Sequence, residues 1–125
     1  MDGNKLKYDL EERTTKFGIN IILFCKKINV NIITKPLINQ IIKSGTSVGA
    51  NYMEAIGANS KNDFRYKIFI CKKESQETKH WLRMLSAADN DLKGSADILL
   101  KEAHELTLIF HKIAKSSSKN NDTVI

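Results

Sequence analysis

The sequence predicts an all-α protein, an antiparallel up-down-up-down four-helix bundle. One proline and six glycines in 125 residues leave few points at which a helix would have to stop. Four successive segments repeat apolar residues at three- and four-residue spacing, the signature of a helix with one buried stripe. Short polar stretches join them, and short connections force consecutive helices to run antiparallel. At 14.2 kDa the chain accommodates one core and not two. The expected division is a tail over 1–7, a bundle over 8–115 and a flexible tail over 116–125.

The first helix is predicted from about Tyr8 to Ile28, with Leu10, Phe17, Ile21, Phe24 and Ile28 on one stripe. Glu11 and Glu12 fall in its first turn, where the helix dipole favours acids. Asn29-Val30-Asn31 breaks the pattern. Thr34 is the expected cap of the second helix, with Pro36 inside its first turn. Leu37, Ile41, Val48, Tyr52 and Ala55 continue one face of that helix. Beside them, Ile38 and Ile42 lead into Gly45 and Gly49. Glycine costs about 1 kcal/mol in a helix interior, so its repeated use points to close approach of another backbone. A kink near Gly45-Thr46-Ser47 is the alternative.

Ser60 and Asp63 resemble a capping box that opens a third helix, Lys61 to Asp89. Phe64, Ile68, Cys71, Ser75, Thr78, Leu82 and Leu85 step along it as a bundle seam. Asn90–Gly94 reads as a turn, Ser95 as the cap of the fourth helix, and Leu99, Ala103, Leu106, Phe110 and Ile113 as its stripe.

At about 100° per residue the third helix has two further faces. Ile70, Glu74, Glu77, Trp81 and Met84 form a mixed apolar and acidic face. Lys61, Arg65, Lys72, Gln76, Lys79 and Arg83 form a basic stripe. A lone bundle needs only the seam. Self-association is the preferred explanation of the mixed face, because tryptophan is enriched at interfaces; the alternative is that Trp81 widens the core. The basic stripe is either a solvated surface or a set of phosphate contacts.

Composition narrows the class. The net charge is +6 and the pI about 9.3, with the surplus confined to residues 1–94; this favours an acidic partner such as nucleic acid. No apolar run approaches a bilayer span, and the N-terminus lacks the apolar segment of a secretory signal, so a cytoplasmic location is expected. Cys25 and Cys71 have no metal spacing and read as small buried hydrophobes.

Two polar stretches carry a family resemblance. Ser47-Val48-Gly49-Ala50-Asn51-Tyr52-Met53-Glu54 resembles a Ser-aliphatic-x-x-Asn-x-x-Glu motif on a second helix. Lys73-Glu74-Ser75-Gln76-Glu77-Thr78-Lys79-His80-Trp81-Leu82 resembles a Glu-Ser-x-Glu-Thr-x-x-Trp-Leu motif on a third. Both are similar to those of the small bacterial four-helix bundle proteins encoded within intervening sequences of large-subunit ribosomal RNA genes. That family is similar in turn to the accessory protein of diversity-generating retroelements, a basic pentamer that associates with reverse transcriptase and nucleic acid. The resemblance implies a homopentamer, RNA or DNA as partner, a reverse transcriptase where a retroelement is linked, and no catalytic residues or cofactor. Ser47, Asn51, Glu54, Glu74, Ser75, Glu77, Thr78 and Trp81 are then subunit-interface or polar packing residues. One departure is visible: the usual Asn-Ile-Ala-Glu-Gly becomes Asn51-Tyr52-Met53-Glu54-Ala55, which is bulkier.

Catalytic and metal chemistry find little support. Glu77-Thr78-Lys79-His80 is a Glu-x-x-His string, but a di-iron bundle needs two such strings and two further inward glutamates. Helix 4 offers Glu102 and His104 at the wrong spacing. His104 and His111 share a face without a nucleophile or acid partner. No glycine-rich phosphate loop is present. The chain therefore reads as non-enzymatic, with two functions open. One is a nucleic-acid-binding accessory using Lys61, Arg65, Lys72, Lys79 and Arg83. The other is a structural or protein-interaction module with no nucleic-acid role.

Overall fold

A computed structural model describes the backbone of residues 3–124 and the side chains of residues 9–117. Four helices follow one another: α1 (Gly3–Lys26), α2 (Thr34–Ile56), α3 (Lys61–Ala88) and α4 (Lys93–Val124), with a 3₁₀ turn at Asn90–Leu92 before the last. Each helix packs on its sequence neighbours, and α1 also packs on α4; the diagonal pairs stand farther apart, backbone from backbone, among the described residues. This is the predicted up-down-up-down four-helix bundle.

The core is built from the predicted stripes. Phe17 and Ile21 of α1, Ile41 and Val48 of α2, Ile68, Leu82 and Leu85 of α3, and Leu106 and Phe110 of α4 are all fully enclosed. The Tyr52 and Phe110 rings meet at 5.9 Å in a tilted pair across α2 and α4. Leu37, Phe64 and Ile113, at the ends of their stripes, are only half-buried.

Helix ends differ from the expected ones for identifiable reasons. α1 begins at Gly3, inside the expected N-terminal tail, and stops at Lys26, two residues before Ile28. α4 continues to Val124 through the stretch expected to be a tail; no glycine or proline follows Gly94 to end it. Met1, Asp2 and Ile125 lie outside the described residues.

The entry to α2 is capped by Asn31 rather than Thr34. Asn31 Oδ1 accepts from the backbone N–H groups of Ile33 and Thr34, each at 2.9 Å, and Thr34 Oγ1 accepts in return from Asn31 N–H at 2.9 Å. This reciprocal exchange is a capping box with threonine in the glutamate's place. Ser60 does cap α3, its hydroxyl accepting from Asp63 N–H at 3.0 Å. The turn before α4 is held by Asp89, whose carboxylate accepts from Asp91 N–H at 3.0 Å, so Ser95 falls inside the helix instead of capping it.

The glycines of α2 mark close approach, and α2 remains one continuous helix through them. A Cβ built on Gly45 would lie 2.9 Å from Ile21 Cγ1, and one on Gly49 would lie 3.4 Å from the Thr14 backbone. Gly18 of α1 faces Thr46 and Gly45 in the same crossing. The three hydrogens let α1 and α2 meet backbone to backbone. α1 is tied to α4 by Arg13, whose Nε and Nη2 donate to the two carboxylate oxygens of Glu102, each at 2.8 Å. Glu105 lies 3.5 Å from the same guanidinium.

Candidate nucleic-acid interface

The polar motifs settle into helix packing before they reach any surface. Ser47 donates to the Lys43 carbonyl, Asn51 Nδ2 to the Ser47 carbonyl at 2.9 Å, and Ser75 to the Cys71 carbonyl at 2.8 Å. Such bonds to the preceding turn satisfy a hydroxyl or amide without a partner helix. Within the chain, Asn51 and Glu54 do not meet Ser75 or Thr78, although all four are polar motif residues on facing helices. The register of the antiparallel pair explains this: Thr78 stands opposite Ser44, and Cys71 Sγ lies 3.5 Å from the Val48 carbonyl. Asn51 and Glu54 therefore fall farther along, and Glu54 meets Lys67 Nζ at 2.7 Å.

The mixed face of α3 lies against the outer side of α2. Trp81 is half-buried against the core, and its indole N–H donates to Glu77 at 3.3 Å. Ser47, Glu74 and Glu77 share a cleft of about 250 Å³ with Gln40, Lys43 and Ser44. Burial, and then the neighbouring Glu77, push the Glu74 carboxyl above its usual range, with Lys73 and Lys43 opposing.

The basic stripe of α3 lies along the edge of α4. Arg65 and Lys72 border a cavity of about 360 Å³ together with Phe69, His111, Ala114 and Lys115. Lys72 Nζ is 3.0 Å from His111 Nδ1, and Lys79 Nζ is 3.2 Å from His104 Nδ1. An ammonium has only donors, so in each pair the imidazole nitrogen is the acceptor. Arg83 stands at the far end of the same edge, in a hollow with Lys93 and Asp97, whose side chains face each other at 3.4 Å. Lys61 is set apart: it borders a larger apolar cavity of about 550 Å³ at the α3–α4 end, with Phe64, Ile109, Lys112 and Ile113.

The pairing of lysines with histidines went unseen at the level of sequence, although its signal was present. Lys72 and Lys79 are seven apart, and so are His104 and His111. On antiparallel neighbours two such spacings bring the four residues into two facing pairs.

The remaining reactive groups are enclosed or scattered. Burial pushes the Cys25 thiol up to about 11 and the Cys71 thiol up to about 12. His80 is exposed, with its ring edge-on to Trp81. Among the described residues no three of His, Cys, Asp and Glu are grouped to hold a metal ion. Among them, too, no helix is long and apolar enough to cross a membrane.

These features define a class: an all-α four-helix bundle with charged helix faces. The chain belongs to the 23S rRNA-intervening sequence protein family, whose model matches residues 7–112. It is also similar to a solved structure from Bacteroides thetaiotaomicron, described as a protein with unknown function from the S23 ribosomal protein family. The two share 26% identity and superpose with a TM-score of 0.75, over 87% of this chain and 97% of the other. None of the curated proteins compared matches this chain.

Proposed function

We propose that this protein is a non-enzymatic, self-associating helical bundle that binds nucleic-acid phosphates along the α3–α4 edge. One observation carries the reading: Lys72 and Lys79 on this edge have imidazole neighbours, where Arg13 and Lys67 have carboxylates. Arg13 is neutralised by Glu102, and Lys67 by Glu54. Lys72 and Lys79 instead meet His111 and His104, which accept a hydrogen bond without cancelling charge. With Arg65 and Arg83 the edge presents a row of positive charge about 27 Å long at 1.5 Å per residue. Such a row suits a phosphate backbone without reading bases.

Reversal of Arg65, Lys72 and Lys79 to glutamate is the direct test. Binding to mixed-sequence RNA or DNA should be abolished while assembly is kept. Retained binding would place the contact on another surface. A reverse transcriptase joins the partners only where the gene lies beside one.

Self-association, as a homopentamer, is the second part of the proposal. Ile19, Ile22 and Leu23 lie on the side of α1 opposite its core stripe and are 51%, 41% and 48% exposed. Met84 extends the mixed face of α3 outward. Apolar strips that no helix of the chain covers support burial between subunits. Light scattering should give about five times the 14.2 kDa chain mass. A monomer at micromolar concentration would overturn this part and leave an isolated bundle.

A further inference from the structure

We infer that the cavity between Arg65 and Lys115 is a nucleotide site, and that it makes the α3–α4 edge prefer a single strand over a duplex. The inference rests on the phosphate-binding reading and adds to it a platform for a base. Phe69 is 58% exposed, a large ring left in water on a helix that has ample polar alternatives. It borders the cavity of about 360 Å³ formed with Arg65, Lys72, His111, Ala114 and Lys115, and none of these residues is acidic. That volume lies at the small end of ligand cavities, suited to one nucleotide unit. Lys72 Nζ lies 5.6 Å from the Phe69 ring centroid and 3.0 Å from His111 Nδ1.

A cation beside an exposed aromatic ring is the combination that single-strand binders use: the ring stacks a base and the cations take the flanking phosphates. In a duplex the bases are already stacked on one another and cannot reach Phe69 without unpairing. The phosphates of a duplex would still find Arg65, Lys72, Lys79 and Arg83, so the edge retains a weaker, ring-independent affinity for it. Ala114 is small, which leaves the floor of the cavity open above α4.

The test compares one mixed-sequence oligonucleotide in single-stranded and duplex form, by fluorescence anisotropy at fixed low salt, on the full chain and on Phe69→Ala and Phe69→Trp. The single strand should bind more tightly than the duplex. Phe69→Ala should weaken the single strand about five-fold or more and leave the duplex unchanged. Phe69→Trp should restore single-strand binding. Phe69 is exposed, so both variants keep the core; equal melting temperatures verify that. Equal affinity for the two forms, or a single-strand affinity indifferent to Phe69→Ala, would overturn the inference while the phosphate-binding reading stood. Absence of binding to either form would remove both.

Discussion

Thr78 Oγ1 of α3 and Ser44 Oγ of α2 lie 2.9 Å apart in the interior and share a hydrogen bond between the two helices. Each hydroxyl also reaches a carbonyl of its own helix, Thr78 to Glu74 at 2.8 Å and Ser44 to Ile41 at 3.3 Å. A hydroxyl has one proton and two lone pairs. The pair is therefore satisfied when one donates within its helix and the other donates across. This contact fixes the α2–α3 register, and with it the positions of the mixed face and the basic edge.

Thr78→Val and Ser44→Ala should each destabilise the fold by about 1 kcal/mol, the usual net worth of such a bond. The double variant should cost less than the sum, because removing both partners leaves no orphaned group. Denaturant melts of the four proteins measure the coupling. Strict additivity would mean that the bond does not contribute.

Much of this arrangement was legible beforehand, and the exceptions share a cause. Phe17, Ile21, Ile41, Val48, Ile68, Leu82 and Phe110 follow the helical period, so their burial could be read from spacing alone. The identity of the polar partners could not, because it depends on helix register. Ser44 belongs to the buried stripe of α2 between Ile41 and Val48, yet the motif drew attention to Asn51 and Glu54, which lie beyond its reach. Asn31 was missed as a cap because its partner Thr34 is itself a good capping residue. The basic stripe was visible on α3, but its histidine partners become apparent only when α4 is laid beside it.

The α1–α2 crossing predicts an order among glycine substitutions. Gly45→Ala forces a methyl into Ile21, which is fully enclosed and cannot yield. Overpacking typically costs about 1–3 kcal/mol, against roughly 1 kcal/mol gained in helix propensity. Gly49→Ala meets Thr14 at 3.4 Å, a contact at the edge of ordinary packing. Thermal melts should rank Gly45→Ala clearly below Gly49→Ala. Equal stabilities would mean that the helices are not in such close contact.

The buried thiols predict both reactivity and an alkaline limit. A thiol raised from 9.0 to about 11 or about 12 carries little thiolate at pH 8. A disulfide reagent should therefore modify Cys25 and Cys71 slowly in the native protein and rapidly after unfolding. The Tyr52 hydroxyl is likewise raised by burial, from 10.0 to about 12. Groups whose folded value exceeds the unfolded one stabilise fully below the unfolded value and lose that contribution as pH rises. Melting temperature should fall progressively above pH 9, through the window from the unfolded to the folded values. Fast native labelling would contradict the burial of either cysteine.

The Arg13–Glu102 pair predicts a smaller effect, because both side chains are partly exposed, at 36% and 29%. Glu102→Gln should cost about 0.5–1 kcal/mol, less at high salt. A loss independent of salt would point to packing of the side-chain stem instead.

On the proposed reading, the α3–α4 edge holds phosphate. The most direct measurement of this is the affinity for a mixed-sequence oligonucleotide across a salt series. If Arg65, Lys72, Lys79 and Arg83 each meet a phosphate, log K should fall against log salt with a slope of about −3 to −4. Replacing Lys72 alone by alanine should reduce that slope by about one. A slope near zero, or no binding at low ionic strength, would mean that this edge does not hold phosphate.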